Sequence, residues 1–378
     1  MDAKQTDSQN VLENGVPQLS QLYFYLTEGC NLACRHCWLA PKFDPAGDKY
    51  PVLPLELFRT AIREAKPLGL TGVKLTGGEP LLHPGIMEIL AFTRQQELDF
   101  TMETNGLLCT SEVAAAIALQ ENVFVSVSLD GADDMTHDTI RGLEGAFAKA
   151  TGAVRQLAAA GLKPQVIMSV MRSNVDQVGK VIALAEDLGA GSIKFNIIQP
   201  TGRGETVRDG ADGLQIDRLI RLGRKVEGEM AAKTGLKLYF DYPAAFHPLK
   251  HFAAAEDGCG ACSILSILGV LPTGAYALCG IGSHVQELVF GHAGHDPLAK
   301  LWKNNQVLRQ LRAGLPHRLS GICGNCLMKH QCLGSCIAQN YYRSGNLWAP
   351  YWFCEQADAM GLFPASRYFS LNEHGAVL

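Results

Sequence analysis

Strand-length apolar runs alternate with helical apolar spacing over the first 230 or so residues. The runs that predict six strands lie at 22–26, 73–75, 100–103, 123–128, 165–170 and 192–198. Between them apolar residues recur every three or four positions, as at Leu55, Phe58, Ile62 and Ala65, which predicts helices. Such alternation indicates right-handed crossovers and a parallel sheet. Six repeats in about 210 residues fit an α/β fold, a partial (β/α)6 TIM-like barrel.

The pattern changes after residue 235. A strand-like run at 236–240 is followed by Pro243 and Pro248, which break regular structure. The longest uncharged run, 260–283, has the length of a membrane span, but Pro272 to Gly274 divides it and indicates a hairpin between two strands. We therefore expect an N-terminal tail (1–19), a barrel domain (20–235), a small cysteine-rich α+β domain (236–365) and a C-terminal tail (366–378).

Composition and charge exclude several classes of protein. The chain has 378 residues, of which 47% are hydrophobic and 19% charged, so a large core is possible. The net charge of −4, with no long run of one sign, gives no reason to expect nucleic acid or a membrane as partner. The polar segment 1–20 has neither the basic nor the apolar region of a secretion signal, so we expect a cytoplasmic protein.

Three of the twelve cysteines, Cys30, Cys34 and Cys37, lie within eight residues. A [4Fe–4S] cube takes four thiolates, so three would leave one iron open to a small molecule. An open metal site indicates chemistry rather than scaffolding. The alternatives are a zinc site, for which His36 is poorly placed as fourth ligand, and chance thiols. Cys109 stands alone and is expected to be a small buried hydrophobic residue.

Unusual residues follow the predicted strands at their carboxyl ends, where parallel sheets bind ligands. Each is also compatible with an ordinary turn, but their common placement favours one site. They are the cysteine loop, the run Gly77-Gly78-Glu79-Pro80, the run Glu103-Thr104-Asn105-Gly106, the pair Ser128 and Asp130, and the pair Asn196 and Gln199.

The motif C-x3-C-x2-C followed by Trp38 resembles the signature of the radical S-adenosylmethionine (SAM) superfamily. The resemblance implies that the open iron binds the amino and carboxylate groups of SAM. Reductive cleavage of SAM would then give a 5′-deoxyadenosyl radical that abstracts a hydrogen atom from a substrate. In such an enzyme the cofactor supplies the chemistry and the protein supplies position and shielding. The reductant would be an external one-electron donor of the flavodoxin or ferredoxin type.

The resemblance extends to the SAM-binding residues, which carry over by motif. Gly77-Gly78-Glu79 is similar to the family's glycine-rich motif, which contacts the methionine amino group. Thr104, Asn105 and Ser128 match positions that commonly meet the ribose and the carboxylate. Arg141 looks like the arginine that often pairs with the SAM carboxylate, an arrangement favoured by bidentate geometry. Trp38 completes this predicted SAM site.

Eight cysteines in the last third have the ligand count of two complete cubes, although paired C-x2-C spacings also build zinc ribbons. Their pattern resembles the SPASM domain, an auxiliary-cluster module of peptide-modifying radical SAM enzymes. The resemblance implies a nearer cluster and a farther cluster, which would transfer electrons or staple the domain. The nearer set is Cys259, Cys262, Cys279 and Cys336, and the farther set is Cys323, Cys326, Cys332 and Cys354.

SPASM proteins mostly act on peptides or proteins, and two complete auxiliary clusters favour a net oxidation, such as a cross-link, thioether or side-chain oxidation. The alternatives are a small molecule such as a haem precursor, an anaerobic sulfatase maturase, and a non-enzymatic iron–sulfur electron carrier. Sulfatase maturases carry an acidic base after the cysteine matching Cys279, where this chain has Gly280. Asp241, Tyr242 and Tyr276 are possible replacements. With about twenty residues before the first strand, we expect any leader-peptide recognition to use a separate protein or the SPASM surface.

Overall fold

The computed structural model describes residue 12 and residues 15–249 and 262–369 of the chain. Cys259, a predicted ligand of the nearer auxiliary cluster, lies outside the described residues, as do most of the predicted N-terminal tail and the end of the C-terminal one.

A ten-stranded sheet forms the centre of the fold, in the order β12-β11-β10-β1-β4-β5-β6-β7-β8-β9. Its eight strands from β10 to β9 are parallel, and β11 and β12 add an antiparallel edge. Two short strands, β2 (Gly29–Cys30) and β3 (Lys42–Phe43), pair separately. The sheet strands are β1 (Gln21–Tyr25), β4 (Gly72–Thr76), β5 (Asp99–Thr104), β6 (Glu121–Ser128), β7 (Gln165–Val170), β8 (Ser192–Ile197), β9 (Lys237–Phe240), β10 (Ile267–Val270), β11 (Ala275–Ala277) and β12 (Val289–His292).

Helices connect the parallel strands and build most of the last third. In the barrel they are α1 (Leu55–Ala65), α2 (Ile86–Gln95), α3 (Ser111–Ala118), α4 (Asp134–Arg141), α5 (Ala146–Ala159), α6 (Val178–Asp187), α7 (Arg203–Asp209) and α8 (Ile216–Lys225). After β12 they are α9 (Leu298–Asn304), α10 (Gln306–Gly314), α11 (Gly321–Gly324), α12 (Lys329–Cys332), α13 (Ile337–Ser344) and α14 (Trp352–Ala359). No helix in the described ranges has the length and apolar character needed to cross a bilayer.

The predicted partial barrel is confirmed, and its parallel sheet is longer than the six expected strands. The run at 236–240 forms β9, which pairs in parallel with β8, so that Ser192 lies opposite Lys237. At the other side β10 pairs in parallel with β1, and the predicted turn around Pro272 joins β10 to β11. The cysteine-rich part thus contributes strands to both sides of the barrel sheet. The domain boundary at residue 235 stays a prediction.

The core lies between the outer face of the sheet and the surrounding helices. Phe24 of β1 is fully buried, and its ring centroid lies 4.4 Å from that of Phe58 on α1. Phe58 also packs edge-on against Phe92 of α2, at 6.1 Å between centroids. The isolated Cys109 is buried in the same core, as expected. Each helix packs against the outer face of the sheet after the strand that precedes it. The loop that joins the two is therefore held at the carboxyl end of that strand.

We predict that Phe58→Ala lowers the free energy of unfolding by about 3–5 kcal/mol, because the lost aromatic ring leaves a cavity between β1, α1 and α2. Chemical denaturation would measure this change. Met135→Ala is the control, since Met135 is 77% exposed and its truncation should change stability by no more than about 0.5 kcal/mol. Equal effects of the two substitutions would contradict the packing described here.

Candidate active site

The cysteine loop follows β1 and is held by backbone and side-chain contacts from two other elements, α4 and α7. Ala33 donates its N–H to the carbonyl of Arg141, at 3.2 Å, and so ties the loop to the end of α4. Arg203, which begins α7, donates from Nε to the carbonyl of Cys34 at 2.8 Å and from Nη1 to that of Pro41 at 2.9 Å. The loop is thus fixed on the barrel rather than free above it.

A cavity of about 180 Å³ at this edge of the barrel is lined by every residue predicted for the radical SAM site. The predicted residues on its wall are Cys30, Cys34, Cys37, Trp38, Gly77, Gly78, Glu79, Thr104, Asn105, Ser128 and Arg141. They come from the ends of β1, β4, β5 and β6 and from α4. The parallel sheet therefore brings together residues that are more than 100 positions apart in sequence.

Two glycines let the loop after β4 approach the loop after β1. A Cβ atom on Gly78 would lie 1.8 Å from the carbonyl oxygen of Gly29, so no other residue fits there without movement of the backbone. Gly77 has φ of +131°, a conformation that side chains disfavour, and a Cβ there would lie 2.9 Å from the backbone nitrogen of Leu26. The predicted close approach of backbone at this motif is present.

Glu79 is a buried carboxylate that accepts hydrogen bonds from three donors. Thr104 donates from its hydroxyl at 2.6 Å, and Asn105 and Leu81 donate their backbone N–H groups at 2.8 and 3.1 Å. Burial, the largest effect, raises the pKa of Glu79 to about 7, although these donors act in the opposite direction. A donor group of a ligand placed in this cavity would favour the ionised carboxylate further.

Arg141 already has a carboxylate partner within the protein. Its Nε lies 2.8 Å from Oδ2 of Asp130, and its Nη1 donates to the sulfur of Cys34 at 3.6 Å. His36 also approaches Asp130, at 3.5 Å, and burial lowers the pKa of His36 to about 4, so the ring is neutral. Arg141 therefore positions the cysteine loop, and its predicted contact with the SAM carboxylate stays a prediction.

Sequence reasoning missed two polar contributors to this site. Arg203 clamps the cysteine loop, and its Nη2 is buried without a hydrogen-bond partner while the side chain lines the cavity. Asn31 accepts a hydrogen bond from Nδ2 of Asn105 at 2.7 Å. Asn31 lies inside the predicted loop and could have been found by its position. Arg203 follows a strand end without any local motif, so only the fold reveals it.

The three thiols of the loop suit an iron–sulfur cluster. Cys30 and Cys34 are buried, and burial, the largest effect, raises the pKa of both thiols. A bound metal ion favours the thiolate form, so it would offset the free-energy cost of ionising these buried thiols. Side-chain N–H groups of Asn105 and Arg141 face their sulfurs at 3.8 and 3.6 Å. Among the described residues no three potential ligands converge as a single metal ion requires. Thiols that each bind a different iron need no such convergence.

The four cysteines of the predicted farther set surround one small apolar cavity. Cys323, Cys326, Cys332 and Cys354 line it together with apolar side chains such as Phe363. Backbone N–H groups point at two of the sulfurs, from Tyr351 to Cys323 at 3.2 Å and from Met328 to Cys326 at 3.3 Å. These residues fit a second cluster.

Three cysteines of the predicted nearer set are described, and they interact with one another. Burial raises the pKa of the Cys262 thiol to about 12 and that of Cys336 to about 11. The charge of Cys336 further raises the pKa of both Cys262 and Cys279. The assignment of these three thiols to the nearer cluster stays a prediction.

Inside the barrel lies a chamber of about 630 Å³. A TIM barrel is normally filled by branched apolar side chains, whereas polar residues from β1 and β4 to β9 line much of this one. It contains two lysine–carboxylate pairs, Lys74 with Glu103 at 2.6 Å and Lys194 with Asp241 at 3.3 Å. Glu103 also lines the cavity at the cysteine loop, and cysteines of both auxiliary sets line the chamber. The chamber therefore connects the two kinds of cysteine site.

The barrel carries a loop with three thiols, one fewer than a [4Fe–4S] cube takes, beside a glycine-rich strand end. These features define an iron–sulfur enzyme that activates a small cofactor. The model of the radical SAM superfamily matches residues 24–185. The chain is 30% identical to the AdoMet-dependent heme synthase of Methanosarcina barkeri, over 85% of this chain and 92% of that protein. It is 29% identical to the mycofactocin maturase MftC of Mycobacterium ulcerans, over 87% and 86% of the two chains. The chain belongs to the radical SAM superfamily.

A solved structure of similar fold covers both halves of the chain. The structure of Streptococcus suis SuiB bound to its precursor peptide SuiA superposes with a TM-score of 0.70 at 15% identity, over 90% of this chain and 77% of that one. The expected SPASM-type architecture is therefore confirmed. As a member of this superfamily the protein is an enzyme that uses SAM and a [4Fe–4S] cluster. The two auxiliary clusters stay a prediction.

We predict that Glu79 makes the SAM-free protein less stable as pH rises. Its folded-state pKa of about 7 lies above the ordinary value of 4.5, so between these values the folded protein binds a proton that the unfolded chain has lost. Stability is thus fully present below pH 4.5 and declines through pH 7, by about 3 kcal/mol in all. Denaturation of wild type and Glu79→Gln at pH 5 and pH 8 should show this relative loss in wild type alone. A constant difference would contradict the assignment.

We predict that Cys34→Ala abolishes SAM cleavage, whereas Cys332→Ala retains some SAM cleavage and blocks product formation. The reason is that Cys34 lines the cavity predicted to hold SAM, and Cys332 lines the farther auxiliary cavity. Anaerobic assays of 5′-deoxyadenosine and product would measure both. Three cubes correspond to about twelve irons per wild-type chain, so iron analysis would control for the loading of each variant. Equal loss of both activities in Cys332→Ala would contradict an electron-transfer role for that cluster.

Proposed function

We propose that this enzyme carries out a net oxidative modification of a ribosomally made peptide, such as a cross-link, a thioether or a side-chain oxidation. The observation that supports it best is the polar chamber between the predicted SAM site and the auxiliary cysteines. A peptide segment can present one side chain in such a chamber to both kinds of site. The names of two relatives point the same way, a mycofactocin maturase and a subtilosin biosynthesis protein.

The proposal assigns a role to each group of residues. Cys30, Cys34 and Cys37 would hold the cluster that, with SAM, supplies a hydrogen-abstracting carbon radical. Gly77 and Gly78 admit a ligand close to the backbone. The predicted SAM contacts of Trp38, Glu79, Thr104, Asn105, Ser128 and Arg141 would orient that ligand at one end of the chamber.

The auxiliary cysteines would hold electron acceptors. Removal of two hydrogens from a substrate leaves an electron to be accepted, and cysteines of both sets line the chamber in which the substrate would lie. The nearer cluster would use Cys262, Cys279 and Cys336 together with Cys259, and the farther one Cys323, Cys326, Cys332 and Cys354. Two further partners belong to this proposal, an external one-electron reductant of the flavodoxin or ferredoxin type and a separate peptide-recognition protein.

A haem precursor is the second candidate substrate, because a relative at 30% identity is named a heme synthase. The lining of the chamber favours the peptide. A tetrapyrrole has a broad apolar ring with its carboxylates at the edge, and burying the face of that ring against the Lys74–Glu103 and Lys194–Asp241 pairs would desolvate four charged groups without replacing their water. A polar peptide segment can supply hydrogen bonds to the same groups.

A sulfatase-maturase reaction of the usual kind is disfavoured at Gly280. A Cβ atom there would lie 2.4 Å from the ring of Tyr25, so the site has no room for an acidic side chain. Of the three replacements considered from the sequence, Tyr276 is directed out of the chamber and contacts Glu64 of α1 through its hydroxyl at 3.3 Å. Asp241 and Tyr242 both line the chamber and remain candidates.

The experiment that tests this proposal is an intact-mass comparison under strict anaerobiosis. Reduced enzyme and SAM are incubated in deuterated water with the short peptide encoded beside the gene. We expect the peptide to lose two hydrogens, as a cross-link or an oxidation requires. The matched control is the Cys34→Ala variant, which should leave the mass unchanged.

Other outcomes would identify a different reaction. A gain of one deuterium at carbon would indicate epimerisation and contradict the oxidation. An unchanged peptide with continued SAM cleavage would contradict the peptide proposal. Conversion of a haem precursor by the same preparation would then support the second candidate.

A further inference from the structure

Three polar side chains form a buried cluster beside the chamber, outside the predicted SAM and cluster sites. Glu227 lies in a π-helical turn, Val226–Met230, directly after α8. Its Oε2 accepts a hydrogen bond from the hydroxyl of Tyr242 at 2.5 Å, and its Oε1 lies 2.9 Å from Nδ1 of His247. The rings of Tyr242 and His247 stack at 4.5 Å. A hydroxyl, a carboxylate and an imidazole are thus in continuous contact.

This cluster forms part of the wall between two cavities. Glu227, Tyr242 and His247 all line the inner chamber of about 630 Å³. The same three residues line a second cavity of about 400 Å³, called the outer cavity here, which Arg224 and Arg367 also line. The contacting side chains of Tyr242, Glu227 and His247 therefore connect the two cavities.

The setting of the cluster makes a purely structural role costly. Tyr242 packs edge-on against Phe240 at 5.2 Å and against Phe246 at 6.2 Å, and all three residues are nearly inaccessible to solvent. Burying a carboxylate among such rings costs more than an apolar residue of the same size would. π-helical turns are rare and occur often at functional sites. Here the π-helical turn places Glu227 in the wall between the two cavities.

The hydrogen-bond directions fix how protons are arranged in the cluster. Nε2 of His247 lies 3.1 Å from the carbonyl oxygen of Tyr242, which only accepts, so Nε2 carries a hydrogen and donates it. Burial, followed by the contact with Glu227, raises the pKa of Tyr242, so its hydroxyl rests in the protonated form. Tyr242 thus donates to one oxygen of Glu227, and the 2.9 Å contact of the other oxygen with Nδ1 of His247 requires a further proton between the carboxyl group and the imidazole.

We propose that Tyr242, Glu227 and His247 form a relay that carries a proton from the inner chamber to the outer cavity during catalysis. The relay rests on the proposed function, since a net oxidation releases one substrate hydrogen as a proton inside the chamber. That proton must reach solvent for the enzyme to turn over. Tyr242, Glu227 and His247 line both the chamber and the outer cavity, and they are in mutual contact.

The proposed step balances in hydrogen atoms, electrons and protons. Bound SAM and an auxiliary iron–sulfur cluster would accept one substrate hydrogen as an atom and the remaining electron, respectively. The second hydrogen leaves as a proton to the Tyr242 oxygen while the hydroxyl proton moves to Glu227. Glu227 passes a proton to Nδ1 of His247, and the imidazole releases its Nε2 proton to the outer cavity. Rotation of the imidazole ring, which returns a hydrogen to the Nε2 position, then restores the starting state.

Other charged groups border the relay and would also affect the pH dependence of product formation. On the outer cavity they are Arg224 of α8 and Arg367, which donates to the carbonyls of Ala245 and His247. On the inner chamber the Lys194–Asp241 pair lies nearby.

The test compares Tyr242→Phe with the matched control Tyr276→Phe, which removes a hydroxyl from another tyrosine–glutamate contact that lies on neither cavity wall. Anaerobic assays with SAM and the short peptide encoded beside the gene would follow 5′-deoxyadenosine and oxidised peptide from pH 6 to pH 9. For Tyr242→Phe we expect 5′-deoxyadenosine within about twofold of wild type and product about 100-fold lower at neutral pH, the size of a lost acid–base group. High pH or added imidazole should restore product in part. Tyr276→Phe should match wild type.

Each outcome supports or overturns the relay. A Tyr242→Phe enzyme with the product yield and pH profile of wild type would overturn it. So would a parallel loss of SAM cleavage and product that is not rescued by base and that accompanies a lower Tm, because that result indicates a structural role. Glu227→Gln should reproduce the Tyr242→Phe profile. A wild-type enzyme that cleaves SAM but modifies no peptide would refute the proposed function itself, and with it the relay.

Discussion

The buried carboxylate of Glu79 joins the strand ends on which the rest of the site depends. It follows β4, and its oxygens accept from Thr104 and Asn105 at the end of β5. Asn105 in turn donates to Asn31 within the cysteine loop after β1. The side chains of Glu79 and Asn105 therefore connect three neighbouring strand ends. Because a buried carboxylate is costly unless its oxygens are bonded, this network also fixes the positions of the groups that bond it.

The cysteine loop is held from the other side by charge. Asp130, after β6, binds Arg141 at 2.8 Å, and Arg141 reaches the sulfur of Cys34. Arg203 fixes the backbone of the same loop from the end of β8. Guanidinium groups suit this task because their several N–H donors have a rigid, planar arrangement. The loop that is predicted to bind a reactive cluster is thus attached to four strands of the sheet, either directly or through one side chain.

The interior of the barrel serves the site rather than the stability of the fold. Inward positions that would hold branched apolar residues in a packed barrel hold lysine–carboxylate pairs and amides instead. Stability comes from the outer face, where Phe24, Phe58 and their neighbours pack between sheet and helices. This division lets the chamber stay polar and open between the SAM cavity and the auxiliary cysteines.

The sequence alone determined the parts of this protein that depend on local chemistry. Alternating apolar patterns predict six of the parallel strands, and Cys30, Cys34 and Cys37 with Gly77-Gly78-Glu79 indicate the family, because thiol spacing and glycine placement are written in short segments. The tertiary structure decided what depends on side chains distant in sequence. The pairing of β9 and β10 with the barrel, the clamp by Arg203, the partnership of Arg141 with Asp130 and the Tyr242–Glu227–His247 cluster have no local pattern. Each arises only when strands and helices far apart in the chain pack against one another, since such contacts are set by the whole sheet and not by any one segment.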